Sequence, residues 1–463
     1  MNQLLNKAKL NSSFRDPAGF VFFDGSVLYR QVNQAYRAEY DLLMGSGLYA
    51  ELVADGLLIP HEEADDVEGL VSSLHYRILK PEKVPFISYP YEWSFSQLKD
   101  AALLTLEIQK RALAKGMTLK DCSAFNVQFR GANPVFIDTL SFERYQPGTP
   151  WVAYRQFCQH FLAPLALMSY CDIRLGKLSE QYIDGLPLDL ASKLLPLSSK
   201  LNFGILTHIH LHAGSQQRHA DKQVDQARQS QLPLTALQGM LDSLSSTVRK
   251  LIWQPKGTEW GDYYSATNYN DAAFTEKKLL VESYLQQTGS SSVWDLGANT
   301  GVFSRIASKL GANTVSFDID PAAVEKNYRW ARQDHEENLL PLLLDLTNPS
   351  PAIGWAHTER ESFAGRGPAD TVMALALIHH LAISNNLPFE KIAEFFQHLS
   401  QYLIIEFVPK SDSQVQRLLT TRKDIFDTYH VEAFEEVFAR YFRIEQATSI
   451  AGSERILYLM KRK

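Results

Sequence analysis

The sequence predicts an α/β chain of two domains, with an open, mostly parallel sheet in the second half and an α+β domain before it. Three observations predict this. Residues 293–301, VWDLGANTG, are an apolar run ending in an acid, then a tight Gly/Ala/Asn loop, and VFSRIASKLG continues with helical spacing. That order is strand, glycine turn, helix. The motif of an apolar run closed by a carboxylate returns at 315–320, VSFDID, and at 342–345, LLLD. The chain of 463 residues is also too long for one ordinary core, and residues 214–231 are almost wholly polar, which marks a boundary.

Composition narrows the class. Hydrophobic content of 45% with 21% charge describes a soluble globular protein. A net charge of −6 argues against broad electrostatic capture of nucleic acid. No run of 18 apolar residues occurs, so no membrane span is expected. The N-terminal stretch MNQLLNKAKLNSSFRD lacks the apolar core of a signal peptide. The three cysteines, Cys122, Cys158 and Cys171, form no CxxC pair, so neither a disulfide framework nor a zinc knuckle is supported. A reducing cytoplasm fits these features best.

In the first domain, residues 20–32 read as two strands around an Asp-Gly turn. Residues 36–48 read as a helix and a shorter one follows to about Asp55. Further strands are expected at 56–61 and 76–79, and residues 84–93, VPFISYPYEW, read as a strand entering an aromatic linker. Residues 96–115 have strong helical periodicity, with Ser94 or Ser96 as the cap. Residues 127–129 and 135–137 form an expected hairpin around Gly131. Residues 150–170 are apolar all round and read as a buried helix bent or broken at Pro164, which makes Cys158 and His160 core residues. Asp184 and Asp189 read as turn or cap residues. THIHLHAG alternates, which predicts a strand with His208, His210 and His212 on one face. No carboxylate or cysteine accompanies them in sequence, so a solvated or partner-facing strand is favoured over a metal site.

Residues 234–253 then read as an amphipathic helix behind Pro233. In the second domain, WGDYYSATNY precedes a helix over 271–287. Tyr263, Tyr264 and Tyr269 are candidates to face a cationic ligand through their rings, with ordinary packing as the alternative. Lys277 reads as a solvated residue of that helix, with a role toward a ligand carboxylate as the alternative. A fourth strand is expected over 370–377, ending at Ile378-His379-His380-Leu381, and a fifth over 403–410 with Glu406 near its end. Both ends belong at the crevice where ligands sit in open parallel sheets. Residues 442–448 and 455–460 read as a closing antiparallel hairpin.

The loop reads D-x-G-x-x-x-G, not the dinucleotide pattern GxGxxG. Asp318 stands 17 positions after Gly301, a distance suited to a ribose diol at the tip of a second strand. Together the loop, the two acids and the closing hairpin resemble the class I S-adenosylmethionine (SAM)-dependent methyltransferases. That resemblance implies a Rossmann-like seven-stranded sheet with a C-terminal antiparallel hairpin and SAM as cofactor. It implies that Asp295, Gly297, Asn299, Gly301, Asp318, Asp345 and Tyr264 bind the cofactor. The strand-four and strand-five ends make His379, His380 and Glu406 the candidate catalytic residues, a histidine serving as base where the acceptor must lose a proton.

The first domain carries a second resemblance. Asp121 is followed five positions on by Asn126, and Asp138 ends the hairpin, an order similar to the catalytic segment of the protein-kinase and aminoglycoside-phosphotransferase-like fold. It implies Asp121 as base with Asn126 and Asp138 on Mg²⁺. The departures are the absence of a glycine-rich loop, Arg30 where the strand-three lysine belongs, and Leu119 two before Asp121. The alternative is an α+β substrate or scaffold domain in which these residues satisfy loop backbone.

The expected layout is then 1–212 for a kinase-like or acceptor-positioning domain, 213–245 for a polar linker and helix, and 246–463 for the methyltransferase domain. No cysteine lies beyond Cys171, and no Asn/Asp-Pro-Pro-aromatic motif follows the fourth strand. An oxygen or nitrogen acceptor on a small molecule or protein is therefore expected rather than a nucleobase. A bifunctional kinase-like methyltransferase and a non-catalytic SAM-binding scaffold are the other readings.

Overall fold

The computed structural model describes residues 7–64, 74–212, 232–255, 271–420 and 423–463. The chain divides into two compact units. The first comprises residues 1–129, 134–254 and 353–360, and the second 130–133, 255–352 and 361–463.

In the first unit, strands Lys7–Lys9, Gly19–Asp24, Val27–Asn33, His75–Pro81 and His61–Glu63 lie in that order in one antiparallel sheet. The Asp-Gly turn forms as expected, with Gly25 at φ +59°. Helices Arg37–Gly45 and Leu48–Ala54 intervene. The long helix Phe95–Ala114 starts on a capping box: Ser94 Oγ accepts from Gln97 N, and Gln97 Oε1 accepts from Ser94 N at 2.8 Å. Strands Val127–Arg130 and Asn133–Phe136 make the expected hairpin. Sheet, linker, long helix, Asp121 loop and hairpin thus follow one another in the order of the kinase-like fold.

Three expectations for this unit are corrected. Residues 84–89 form no strand. The segment instead reaches a 3₁₀ turn at Pro90–Glu92, because Pro85 and Pro90 lack the N–H a ladder needs. The strand expected at 56–61 begins only at His61, just after Pro60. The described part of THIHLHAG, residues 207–212, is helical, with wide i→i+5 turns over Leu206–Leu211. Residues two apart on a helix point to different sides. His208 accordingly meets Tyr154 Oη and Ser243 Oγ, while His210 meets Ser192 and Ser199. The helix around Pro164 is wide rather than broken: i→i+5 turns over Cys158–Leu162 absorb the missing N–H before Ala163–Tyr170 continues, and Cys158 and His160 are buried.

The second unit carries a seven-stranded sheet. Its strands are β1 (Ser292–Leu296), β2 (Asn313–Asp318), β3 (Leu339–Leu343), β4 (Ala369–Ala374), β5 (Ser400–Phe407), β6 (Phe442–Ser449) and β7 (Ile456–Arg462). The spatial order is β3-β2-β1-β4-β5-β7-β6. The first five are parallel and β7 runs antiparallel beside β5. Strands covered on both faces read as near-continuous apolar runs, as β3 and the inner part of β5 do, while β2 (NTVSFD) is covered on both faces with Thr314 and Ser316 among its buried residues. One face receives helix Asp271–Thr288 through Val281, Tyr284 and Leu285, against Val293, Met373, Ile404 and Leu457. Trp294, Phe317 and Phe363 form an aromatic cluster with ring centres 5.0–5.9 Å apart. The strand order reverses between β1 and β4, so the crevice at their carboxyl ends is the expected ligand position.

Candidate active site

That crevice is a cavity of about 330 Å³, a size ordinary for a small-molecule site. Its floor is the turn after β1. Gly297 N and Ala298 N both donate to Phe317 O at 2.9 Å, and Asn299 N donates to Asp318 Oδ2 at 2.7 Å. The turn is therefore fastened to the end of β2. Gly297, Asn299 and Gly301 have φ of +76°, +50° and +77°, a region that glycine and, less readily, asparagine enter. A Cβ on Gly301 would stand 2.5 Å from the Asn327 amide. The following helix, Ser304–Lys309, starts close to where the sequence pattern places it and is short.

Three strand ends bring carboxylates to this cavity. Asp295 is 2% exposed and accepts from Ser304 Oγ at 2.6 Å. Burial pushes its carboxyl up to about 7, with Ser304 and Lys277 opposing. Asp318 is also buried and accepts from Asp320 N at 2.8 Å; burial raises it to about 6 against those backbone bonds. Asp345, just past β3, is half-buried and accepts from Thr347 N and Oγ1. Ile319, Leu344 and Leu346 supply apolar wall between the acids, and exposed Ile319 is a wall residue the sequence reading missed. Its signal was an apolar side chain left after the β2 acid with no core to enter.

The other wall follows β4. Leu375, Ala376 and Leu377 lead into a wide helical turn, His380–Ser384, and His380 lines the cavity with Leu381, Ser384 and Asn385. Ala376 has φ +50°, a non-glycine residue held in the left-handed region. Burial, then the Arg455 charge, lowers His380 to about 4, so its imidazole is neutral at physiological pH. His379 lies behind it, with ring centres 4.2 Å apart. It is 2% exposed and outside the cavity wall, with Nδ1 unpartnered among the described residues.

Two sequence readings change here. Lys277 is not on a solvated face: it is 3% exposed and lines the cavity beside Phe274 and Phe303. Glu406 does not line the cavity. It is fully buried, bonded to Lys277 Nζ at 2.6 Å and to Arg455 Nη1 at 3.3 Å. The crevice was read for it from strand position alone, but Glu406 lies inside β5, one residue before its end at Phe407, and its side chain turns to Lys277 and Arg455. Gly301 shapes the turn without lining the cavity. Tyr263, Tyr264 and Tyr269 lie outside the described residues.

In the first unit, Asn126 Nδ2 donates to Ser141 Oγ, which donates to Asp138 Oδ2 at 2.5 Å. Arg30 forms an ion pair with Asp138, and its charge holds that carboxyl below the ordinary range against the burial that raises it. Asp121 is separately engaged, by Ser123 N at 2.9 Å and Gln156 Nε2 at 2.7 Å. Among the described residues no group of three or more His, Cys, Asp or Glu side chains is placed to hold a metal. Likewise no described helix is long and apolar enough to cross a membrane.

Sheet order, glycine turn and strand-end acids define a class I methyltransferase architecture in the second unit. The chain belongs to the family of the nodulation protein NoeA: it is 36% identical to NoeA of Rhizobium meliloti (strain 1021) over 460 residues, 98% of this chain and 96% of that protein. No protein-family model matches the chain. Solved structures similar to it include the magnesium protoporphyrin IX methyltransferase ChlM of Synechocystis PCC 6803 with bound S-adenosylhomocysteine (17% identity, 44% of this chain and 93% of that one, TM-score 0.32). Others are the bifunctional kinase-methyltransferase WbdD (13%, 45% and 43%, TM-score 0.30) and the N-methyltransferase NodS of Bradyrhizobium japonicum WM9 (9%, 42% and 98%, TM-score 0.30).

Proposed function

We propose that the second unit is a SAM-dependent methyltransferase acting on an oxygen or nitrogen acceptor of a small molecule or protein. The observation that carries this reading is the convergence of Asp295, Asn299, Asp318 and Asp345 from three successive strand ends on one cavity. The residues fit the cofactor. Two buried carboxyls raised by burial call for cationic or donor partners, and Gly297 leaves space that a Cβ would narrow to 3.2 Å from Leu377. Asp318 and Asp345 would hold the ribose diol and the adenine amine, and Asp295 the α-ammonium. When bound, SAM supplies an electrophilic methyl group.

The remaining tasks fall to the chain. The Leu375–Leu377 wall and Leu418 exclude water, and neutral His380 takes the proton of an acceptor hydroxyl as its oxygen turns strongly acidic on methylation. Residues 1–212 would position or select that acceptor. The relative is named for nodulation, which is where the acceptor is to be sought. His380→Ala should lower the rate of methyl transfer about 10²- to 10⁴-fold while S-adenosylhomocysteine affinity stays within threefold; equal losses in both would assign His380 to cofactor binding.

The bifunctional reading draws on the element order of the first unit, but Asp138 is already paired with Arg30. Calorimetric titration with S-adenosylhomocysteine, repeated with ATP and Mg²⁺, decides between them. Binding of the first alone is expected. Binding of both makes the chain bifunctional, and binding of neither removes the methyltransferase reading.

A further inference from the structure

We infer that Lys277 is the anion-binding residue of the cavity, its ammonium holding the α-carboxylate of the cofactor's methionine part, with Glu406 and Arg455 as the residues that position it. This rests on the methyltransferase reading and goes beyond it, because that reading gives the ribose, the adenine and the ammonium their partners and leaves the carboxylate without one.

A buried lysine is costly unless paired. Helix Asp271–Thr288 already packs on the sheet through Val281, Tyr284 and Leu285, so adhesion of the helix does not call for a buried cation. Lys277 is nonetheless the end of a buried chain of charges. Its Nζ donates to Glu406 Oε2 at 2.6 Å, Arg455 Nη1 donates to Glu406 Oε1 at 3.3 Å, and Arg455 Nε donates to Asp412 Oδ2 at 2.8 Å. Lys277 is 3% exposed, Glu406 fully buried and Arg455 2% exposed. One carboxylate thus serves two cations, and the outer cation is also held by Asp412. The inner one faces the cavity.

The charges on the cavity wall are complementary to an amino-acid head group. Asp295 and Lys277 both line the cavity and interact electrostatically. A zwitterionic α-amino acid needs one anion for its ammonium and one cation for its carboxylate. Among the described residues lining the cavity, Lys277 is the sole lysine or arginine. The other charged groups there are the acids Asp295, Asp318 and Asp345, which would repel a carboxylate. An ammonium carries three donors and can serve Glu406 and a ligand oxygen at once. Its flat neighbour Phe303, with the ring centre 4.6 Å from Nζ, limits its direction.

The test is a ligand series on the full chain. Affinities are measured for SAM, for decarboxylated SAM, which keeps the ammonium and lacks the carboxylate, and for methylthioadenosine, which lacks the whole head group. The wild-type chain is expected to prefer SAM over decarboxylated SAM by tenfold or more. Lys277→Met should lose at least tenfold for SAM, keep methylthioadenosine within threefold, and abolish the preference. Glu406→Gln, which leaves the ammonium in place, should retain the preference. It serves as the second variant where Lys277→Met does not fold. Equal loss of all three ligands in either variant would make the ion pair merely structural, and a preference that survives Lys277→Met would overturn the assignment. A wild-type chain that binds none of the three overturns the methyltransferase reading itself, an outcome distinct from a wild-type chain that binds all three equally, which overturns only the role of Lys277.

Discussion

Asp318 carries two loads. Its Oδ2 fixes Asn299 N and its Oδ1 fixes Asp320 N, and a carboxylate has lone pairs to spare for a diol. Asp318→Ala should therefore cost about 1.5–3 kcal/mol of cofactor binding, roughly ten- to hundredfold in affinity, read by S-adenosylhomocysteine titration. The pH dependence follows from the raised carboxyls. Asp295 titrates near 7 and Asp318 near 6, against 3.8 in an exposed chain. The folded state thus holds these protons more tightly than the unfolded state. Their burial penalty is absent below about pH 4 and grows as pH rises to about 7, so both groups favour the ligand-free fold at lower pH. Ligand donors need the ionised form, so binding changes in the opposite sense. S-adenosylhomocysteine affinity should fall as pH is lowered from 7.5 to 5.5, with protons released on binding at pH 6. Affinity that is flat across that window would show that neither carboxylate meets the ligand.

At the scale of elements, the turn after β1 is the part most exactly specified by its residues. Gly301 has φ +77° and its missing Cβ makes room for Asn327, which itself donates to Ser316 Oγ at 2.9 Å and accepts from Arg305 Nη1 at 2.8 Å. Gly301→Ala forces a left-handed alanine and displaces that amide. It should destabilise the second unit by about 1–3 kcal/mol, seen as a lower thermal midpoint without ligand. The helix Phe389–Leu399 shows the opposite case, where pattern suffices: Phe389, Ile392, Ala393, Phe396 and Leu399 are its buried face, spaced as an amphipathic helix requires.

For the whole molecule, the division of the chain is not a single cut. Residues 353–360 belong to the first unit although they lie between β3 and β4. There Glu359, 3% exposed, pairs with Arg15 at 2.8 Å, and the Arg360 guanidinium lies 4.4 Å from the Phe125 ring centre. A fragment 1–254 lacks both and should melt below the first unit of the intact chain. A fragment 255–463 keeps every described residue of the cavity and should bind S-adenosylhomocysteine within about threefold of the full chain. At a hundredfold excess over Kd, ligand should stabilise it by about 2.7 kcal/mol. Calorimetry on both fragments checks these outcomes.

What the sequence by itself determined is the local chemistry with a fixed period or a fixed backbone need. The strands of the parallel sheet are legible because short apolar stretches there close on an acid or a turn, even where buried Thr314 and Ser316 interrupt β2. The glycine turn is legible because only a few residues accept φ near +76°. The acids at the strand ends are legible because a charge at the end of an apolar run belongs to a crevice. What only the tertiary structure decided is the environment of a side chain. Lys277 sits on a helix whose sequence looks amphipathic enough to leave it wet, and its burial depends on Glu406, 129 residues away, and on Arg455 behind it. The alternation in THIHLHAG fits a strand or a helix, and long-range partners such as Ser243 and Tyr154 select the helix. Asp138 reads as a metal ligand or as a loop residue from its place after the hairpin, and its pairing with Arg30, far upstream, is visible only in the structure. In each case the deciding energy is a desolvation or pairing term between residues distant in sequence, which no local pattern encodes.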